Sequence, residues 1–428
     1  MNLKIPTSHL PFYLLILSLF QKSFIIQYIV LLLFILFFLF TKKPVIKKNI
    51  FFSLPLLIIA IAFISYLYNW CLGNADGYTF FFWLFSYLPP FILIWITIAF
   101  SGKVNFFSIY KFYKILVYIQ SVLLIFSTIQ YDRFIVGDFA RGTVGDANWV
   151  AFHICVVLLY EISQLVVITH QTKTISRKNI WSIAEIIYLF IVLLIPESTA
   201  NLGLLLIILG IIFIKEYILA GINMMRIIVF VVFITLSLWG ISKTYVYERI
   251  DDAITELTKT DIDKNPYLSK ISIYKKLLNG EIYSNTNWLI GSGPATFTSR
   301  SSVMRMPDER VNEFPIELPY FKSNLFKKYI SPIYAEWKAS RESYGNFASP
   351  QTTIISVAVE LGIFGILCFL SLFYFIIRRT QKIILPESDL HLKKFFFYFS
   401  IFYILSLFHL NFWEYPIVTF TYIIFVFL

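Results

Sequence analysis

The chain has 428 residues, of which 58% are hydrophobic and only 14% charged. A soluble protein carries about a quarter charged residues, so this composition excludes a soluble globular protein, and continuous apolar runs exclude the alternating pattern of a membrane barrel. The formal net charge of +11 would suit a nucleic-acid partner, but the Lys and Arg residues alternate between loops as a membrane-topology signal, so we expect no nucleic acid.

Apolar runs recur along the chain and predict an all-α polytopic membrane protein with about twelve transmembrane helices. The first run has no small-residue cleavage site, so we interpret it as a retained helix and not as a signal peptide. The predicted spans are 6–20, 24–40, 50–68, 78–99, 109–130, 148–170, 180–196, 201–214, 226–241, 351–377, 395–411 and 416–428.

The distribution of Lys and Arg predicts the orientation of these spans. Loop 41–49 holds four lysines and every second connection is basic, whereas loops 69–77 and 197–200 have no basic residue. The alternation predicts that both termini are cytoplasmic.

One long segment outside the predicted spans, 242–350, mixes charges with Tyr, Trp, Pro and Asn. It contains helix-like pieces at 245–258 and 268–278 and is too apolar for a linker. We therefore predict an external subdomain between N-terminal membrane helices (1–241) and C-terminal membrane helices (351–428).

The outer loop 131–147 carries Arg133 and Arg141 on the side of the membrane where arginine is disfavoured. They could be solvated residues paired with nearby aspartates. They could also form an anion cradle, since the guanidinium fork matches phosphate oxygens. We expect Asn148 to cap the next helix, whose N-terminus also favours anions.

The stretch WLIGSGPATFTSRSSVMR (288–305) has turn chemistry at GSGP. No GK[ST] follows, so it is a weak match to a phosphate loop. Basic residues surround it, namely Lys270, Arg300 and Arg305, which would form either an ordinary charged surface or part of an anion site.

The stretch SPQTTIISVAVELGIFG (349–365) opens on a polar cluster and places Glu360 inside an apolar helix. A carboxylate there must face the protein interior or a wet cavity, so it either hydrogen-bonds a neighbouring helix or positions a polar substrate. Glu161 and Glu185 we expect to be structural, and His153 to be a helix-packing residue or a base. No metal-ligand spacing occurs among the histidines and three cysteines, so we expect no metal cofactor.

Three segments in this order together resemble the O-antigen polymerase and O-antigen ligase superfamily: RGTVGDANWVA (141–151), SKISIYKKLLNGEIYSNTNWLIGSGPATF (269–297) and the 349–365 stretch. The residues that match its motifs are Arg141, Gly145, Asn148, Ala151, Gly291, Gly293, Phe297, Ile355, Glu360, Gly362 and Gly365. Lys270 and Tyr274 stand where Arg and Trp are common, and Ala147 stands where proline is usual.

Two departures bear on activity. Gln351 occupies the place of a His thought to be catalytic in the ligases, and glutamine cannot accept a proton. The outer turn 196–201 lacks an Arg that many members have. Because the polymerases are more divergent at the Gln351 position, the resemblance favours a polymerase.

The resemblance implies a GT-C-like glycosyltransferase on the outer face of a bacterial inner membrane. It would move a growing glycan from undecaprenyl pyrophosphate to another lipid-linked repeat unit, without a metal, alongside membrane lipid, a flippase and a chain-length regulator. The catalytic candidates are Arg141, Asp146, Gln351 and Glu360. The substrate-binding candidates are Arg133, Asn148, Lys270, Gly291, Gly293, Arg300 and Arg305.

Three points stay open at this stage. The general base could be Asp146, His153, Glu360 or Asp308. The same-class alternative is an O-antigen ligase, which passes finished glycan to the lipid A core. The alternative of another class is a transporter or flippase of lipid-linked sugars, which should keep its essential charges at mid-membrane and not at the outer rim.

Overall fold

The computed structural model describes residues 9–40, 50–132, 140–171, 177–196, 198–218, 231, 235, 269–303, 321–340 and 352–428. Throughout these residues the regular structure is helical, and an isolated bridge between Asn287 and Gly291 is the one β-type pairing. The helices are α1 (Leu10–Leu19), α2 (Phe24–Phe40), α3 (Ile50–Cys71), α4 (Thr79–Phe100), α5 (Phe106–Gln130), α6 (Ala147–Gln171), α7 (Arg177–Leu194), α8 (Thr199–Ile212, continued by a π-helical turn Phe213–Ile218), α9 (Ser269–Leu278), α10 (Arg300–Val303), α11 (Ser331–Ser340, preceded by a π-helical turn Phe326–Ile330), α12 (Thr353–Lys382), α13 (Leu390–His409) and α14 (Pro416–Phe427).

A helix lies at every predicted span except 226–241, which falls outside the described residues apart from two positions. Among the described residues, six helices are long and apolar enough to cross a membrane: α3, α4, α5, α6, α12 and α13. The chain therefore has the architecture of a polytopic membrane protein. The count of about twelve spans stays a prediction, because helices such as α1 and α14 are only 10 and 12 residues long, about 15 and 18 Å.

Helix α14 lies at the centre of the bundle. All of its residues from Pro416 to Phe427 are buried, and it packs against α1, α2, α4, α6 and α13. A helix that is apolar on every side needs protein or lipid all round it, and here protein provides that environment.

Helix α12 is interrupted at Gly362, whose φ of 65° and ψ of −165° are not helical. The amide nitrogens of Ile363 and Phe364 donate outside the helix, to the carbonyl oxygens of Trp288 at 3.0 Å and Leu289 at 3.4 Å. In return, the carbonyl oxygens of α12 just before the break accept from the 291–293 loop. Ser292 N donates to Val359 O at 2.9 Å, and Gly293 N donates to Glu360 O at 3.0 Å.

The described part of the 242–350 segment packs on the first half of α12. It has a hydrophobic cluster separate from the main core, formed with two α12 residues: Ile273, Ile282, Phe297, Leu325, Phe326, Tyr329, Ile330, Ile355 and Val359. The predicted helical piece 268–278 is confirmed as α9, whereas 245–258 lies outside the described residues.

Replacing Gly362 with Ala should destabilise the protein by about 2–3 kcal/mol or more, because an L-residue is strained at this φ and the new Cβ would also clash. That Cβ would lie 2.5 Å from Leu289 O and 2.6 Å from Gly291 N. The matched control is Gly210→Ala in α8, where no atom lies within 4 Å of the added Cβ. It should be neutral or stabilising by up to about 1 kcal/mol. Thermal unfolding of the detergent-solubilised variants measures both, and equal midpoints would contradict the description of the break.

Candidate functional site

The carboxylate of Glu360 is buried and binds the backbone of the GSGPATFTS loop, residues 291–299. Its Oε2 accepts from Ala295 N at 2.8 Å, and its Oε1 accepts from Phe297 N at 2.9 Å and Ser299 N at 3.2 Å. Converging backbone N–H groups of this kind form an anion-binding nest. The loop backbone therefore forms such a nest, and the group that it holds in this structure is the carboxyl group of the chain's own Glu360.

Gly291 and Gly293 lie between the loop and the membrane helices, both with positive φ (84° and 99°). A Cβ on Gly291 would come within 2.4 Å of Glu360 O. Helix α3 braces this junction, since Asn69 Nδ2 donates to Gly291 O at 3.1 Å and Ser65 Oγ donates to Glu360 O at 3.1 Å. Both glycines, predicted to bind substrate, are buried here. Gly291 allows the backbones of the loop and of α12 to approach closely, whereas a Cβ on Gly293 would lie 3.2 Å from the Asn69 side chain.

The side chains of Lys270 and Tyr274 on α9 donate hydrogen bonds to the last carbonyl oxygens of α13. Lys270 Nζ donates to His409 O at 2.7 Å, and Tyr274 Oη donates to Phe408 O at 2.7 Å. These carbonyls belong to the last turn of a helix, where no intrahelical donor reaches them. Burial lowers the pKa of the Lys270 ammonium group to about 7.

Tyr274 also joins this contact to the head of α12. Its hydroxyl lies 3.3 Å from Thr352 Oγ1, and Thr352 caps α12 by accepting from Ile355 N at 3.1 Å. The second and third sequence segments therefore meet at both the head and the break of α12.

Arg300 is 3% exposed and lies beside the segment 411–415. Its amide nitrogen donates to Glu414 Oε1 at 2.9 Å, and its Nη1 donates to the Glu414 carbonyl oxygen at 3.1 Å. The guanidinium carbon lies 4.1 Å from the ring centre of Phe24 and 4.8 Å from that of Tyr415. Aromatic faces attract a cation and help to hold it in a partly desolvated site.

Arg300 is connected to the first sequence segment through these rings. The ring of Trp149 lies 5.3 Å from those of both Phe24 and Tyr415. Trp149 is in the first turn of α6, directly after the 141–146 loop that carries Arg141. Arg300 and Arg141 therefore lie at the same end of the bundle.

The α1–α2 turn also holds the 141–146 loop. Thr143 Oγ1 donates to Phe20 O at 2.6 Å, and the Lys22 side chain packs against Gly145 so closely that a Cβ there would be 2.5 Å from its Cγ. Lys22 thus adds a cation at the end of the bundle where Arg141 and Arg300 lie. No sequence motif indicates Lys22, because it lies outside all three motif segments.

Within the first segment, Arg141 is exposed and Asp146 and Asn148 are partly exposed. The prediction that Asn148 caps α6 is wrong: α6 begins at Ala147, and Asp146 Oδ1 accepts from Asn148 N at 2.8 Å. A capping side chain must precede the helix that it caps. Asn148 instead ties α6 to the start of α8, because its Oδ1 accepts from Ser198 Oγ at 2.7 Å and its carbonyl oxygen from Asn201 Nδ2 at 2.8 Å.

His153 is buried one turn further along α6. Its Nδ1 lies 2.8 Å from Tyr113 Oη, and its ring stacks on Phe20 at 4.5 Å. It is thus packed between helices. The remaining predicted site residues, Gln351, Arg133 and Arg305, lie outside the described residues.

The three sequence segments thus converge on one end of the bundle, around the head of α12, the start of α6 and the α1–α2 turn. In the part of the chain that the structure describes, no group of three or more His, Cys, Asp or Glu residues could hold a metal ion. No family model and no curated protein matches the chain.

Glu360→Gln should loosen the 291–299 loop, because an amide supplies one acceptor oxygen for three N–H donors and turns its own NH₂ toward the others. We expect a loss of about 2–3 kcal/mol in unfolding free energy. The control is Glu387→Gln, an exposed carboxyl in a 3₁₀ turn, which should change little. Unfolding midpoints and hydrogen exchange of the 291–299 amides measure the effect, and unchanged exchange in Glu360→Gln would rule out the nest.

Lys270 should make stability depend on pH. Its folded pKa of about 7 lies below its ordinary 10.5, so between these values the unfolded chain binds one more proton than the folded chain. The unfolding free energy contributed by Lys270 therefore rises with pH across this window and is lowest below about pH 7.

To test this, the unfolding free energies of the wild type and of Lys270→Met are compared from about pH 6.5 to about pH 9.5. As the pH rises, the difference should change in favour of the wild type by up to about 1.4 kcal/mol per pH unit. The exposed Lys275 on the same helix supplies the control, Lys275→Met. A difference between wild type and Lys270→Met that does not vary with pH would refute the assignment.

Proposed function

We propose that the chain is a glycosyltransferase of the O-antigen polymerase type, acting on the outer face of a bacterial inner membrane. It would be GT-C-like, with about twelve spans and both termini in the cytoplasm. The observation that carries the proposal is the convergence at one end of the bundle of the three segments that resemble this superfamily, although more than 100 residues separate the first segment from the second.

In the proposed reaction, a hydroxyl oxygen of the acceptor sugar attacks the anomeric carbon of the donor glycan. The bond from that carbon to the pyrophosphate oxygen breaks, the lipid pyrophosphate leaves with the electron pair, and a base takes the hydroxyl proton. Cations beside the leaving group stabilise its developing charge.

The cations present at this end of the bundle suit that chemistry. Arg141 is exposed and can offer its planar fork to phosphate oxygens. Arg300, held against Phe24 and Tyr415, supports the same region from the interior, and no metal is required in this proposal.

The contacts of the candidate bases support one choice in this proposal. Both oxygens of Glu360 accept hydrogen bonds from the 291–299 loop, and His153 is enclosed between helices. Asp146 is partly exposed, and its Oδ1 accepts from Asn148 N. We assign the base role to Asp146 because it is the most exposed of these three carboxyl and imidazole groups; Asp308 lies outside the described residues. Gln351 cannot replace a catalytic His, which favours polymerase over ligase.

One observation favours the alternative of a transporter of lipid-linked sugars. Lys114 Nζ lies 2.7 Å from Glu161 Oε1 and 2.5 Å from Glu185 Oε1, between α5, α6 and α7. Ionisable groups within a helix bundle often mark an ion or substrate path. The polymerase is preferred because its motif residues account for the opposite end of the bundle, where Arg141 and Arg300 lie.

The test of the proposed function is deletion of the gene followed by gel analysis of the lipopolysaccharide. A polymerase predicts lipid A core that bears a single repeat unit. Bare core with intact polymer left on the lipid carrier would indicate a ligase, loss of all repeats from the outer face would indicate a transporter, and an unchanged ladder would exclude all three.

Arg141→Ala should lower the rate of polymer formation about 100-fold at equal expression, since one donor to a charged leaving group is removed. Arg141→Lys should retain only part of the activity, because the bidentate fork is lost. The control is Arg378→Ala, an exposed arginine at the far end of α12, which should leave the ladder unchanged. Full polymer in Arg141→Ala would contradict its role.

A further inference from the structure

Helix α9 carries a largely apolar stripe on its exposed face. Ile271, Lys275 and Leu278 follow one another at the i, i+4 and i+7 spacing of a single helix face. Ile271 is 44% exposed and Leu278 is 83% exposed, and Lys275 is exposed between them. The opposite face holds Ile273, which is buried in the hydrophobic cluster of the 242–350 segment. The helix is thus packed on one side and leaves two large aliphatic side chains uncovered on the other.

The attachment of α9 places this stripe at a boundary of the membrane. Lys270 and Tyr274 donate to carbonyl oxygens in the last turn of α13, which is one of the helices long enough to cross a membrane. From Lys394, near its other end, to His409, α13 rises about 22 Å. That is slightly less than a ~30 Å hydrocarbon core, so α9 lies where hydrocarbon gives way to head groups.

A second connection gives the same depth. The carbonyl oxygen of Trp288 accepts from Ile363 N at 3.0 Å, so this residue is level with the break in α12. From Arg378 to Gly362, α12 rises about 24 Å, nearly the same distance as along α13. The Trp288 side chain is 56% exposed. Tryptophan is enriched at membrane–water interfaces because its ring is amphipathic, and an exposed Trp at this level fits that layer.

The direction of the stripe also points to lipid. Successive residues of an α-helix are turned by about 100°, which puts the stripe about 90° round α9 from Lys270 and Tyr274, the two side chains that reach α13. The stripe therefore faces sideways, along the membrane plane, and no described residue covers it. The medium at the side of a membrane bundle is lipid.

The charges of α9 are complementary to an anionic surface. The helix holds three lysines, Lys270, Lys275 and Lys276, and no acidic residue. Lys270 is buried against α13, whereas Lys275 lies on the stripe, where its stem can follow the aliphatic side chains while the ammonium group reaches lipid phosphates. A second copy of the chain packed stripe to stripe would instead bring two Lys275 ammonium groups together, which is unfavourable.

We propose that the face formed by Ile271, Lys275 and Leu278 lies in the head-group layer of an anionic phospholipid surface, as an interfacial amphipathic helix does. The contact fixes the depth of α9. It also fixes the head of α12, because the Tyr274 hydroxyl lies 3.3 Å from Thr352 Oγ1. This surface is independent of the proposed transferase reaction.

Site-specific photo-crosslinking of the full chain in nanodiscs tests the surface. A diazirine amino acid replaces Leu278 in one variant and Ile271 in another, the nanodiscs contain phosphatidylglycerol and phosphatidylcholine, and mass spectrometry identifies the adducts. Lipid adducts are expected at both positions, as at Ile64, which is 56% exposed on membrane helix α3. The control position is Lys327, exposed on the π-helical turn whose neighbours cover the opposite face of α9. It should give water adducts only.

Two substitutions separate the apolar contact from the charge. Leu278→Asp should increase hydrogen exchange of the α9 amides in nanodiscs about tenfold, because this side chain no longer enters the apolar layer, whereas Leu278→Met should change it little. Lys275→Gln should increase exchange about fivefold in phosphatidylglycerol nanodiscs and leave it unchanged in phosphatidylcholine, because only the attraction to anionic head groups is lost.

Water adducts alone at Leu278 and Ile271, or adducts to a second copy of the chain in place of lipid, would overturn the proposal. An effect of Lys275→Gln that is equal in the two lipids would overturn the assignment of an anionic surface.

Discussion

The interruption of α12 at Gly362 is the constraint on which the arrangement of the site depends. A helix broken inside an apolar bundle leaves peptide groups without partners, and water is not there to supply them. In this protein the 288–293 stretch supplies the missing partners: its carbonyl oxygens accept from amides after the break, and its amides donate to carbonyl oxygens before the break. The Glu360 carboxylate then fixes the following residues through three N–H groups. The break and the loop are therefore one structural unit.

This unit explains why the site lies where it does. The loop leads directly to Arg300. The position of that guanidinium against Phe24 and Tyr415 is therefore set by the same backbone that hydrogen-bonds α12 at its break. On the other side, Tyr274 and Lys270 fasten α9 to the end of α13 and the head of α12. The described residues 269–303 are thus joined to the membrane helices by hydrogen bonds as well as by hydrophobic contacts.

The membrane class and most helix positions were predictable, because continuous apolar runs report burial in lipid or protein regardless of tertiary detail. The site was predictable only in outline. The sequence marked Glu360 as costly to bury, but its partners lie more than 60 residues earlier in the chain, and nothing local identifies them. GSGP was recognised as a turn with weak phosphate character, and the structure shows that such a nest can be filled from within.

Other features had no local signal. Lys22 lies in a turn without a motif, and it is close to Gly145 only because α1 packs against α5 and the start of α2 contacts the start of α6. The Asn148 prediction failed by two residues: both Asp146 and Asn148 are good capping residues, and the start of the helix between them decides which one caps.

The pairing of Glu360 with the 291–299 amides also has a consequence for biogenesis. The loop is translated before α12, so its backbone partners have already been made when a segment that contains a buried carboxyl group and a break enters the membrane. A charged residue at the centre of a helix is costly to insert by itself. Membrane integration of α12 therefore depends on a segment made earlier, because the partners of its buried carboxyl group and of its interrupted backbone lie in that segment.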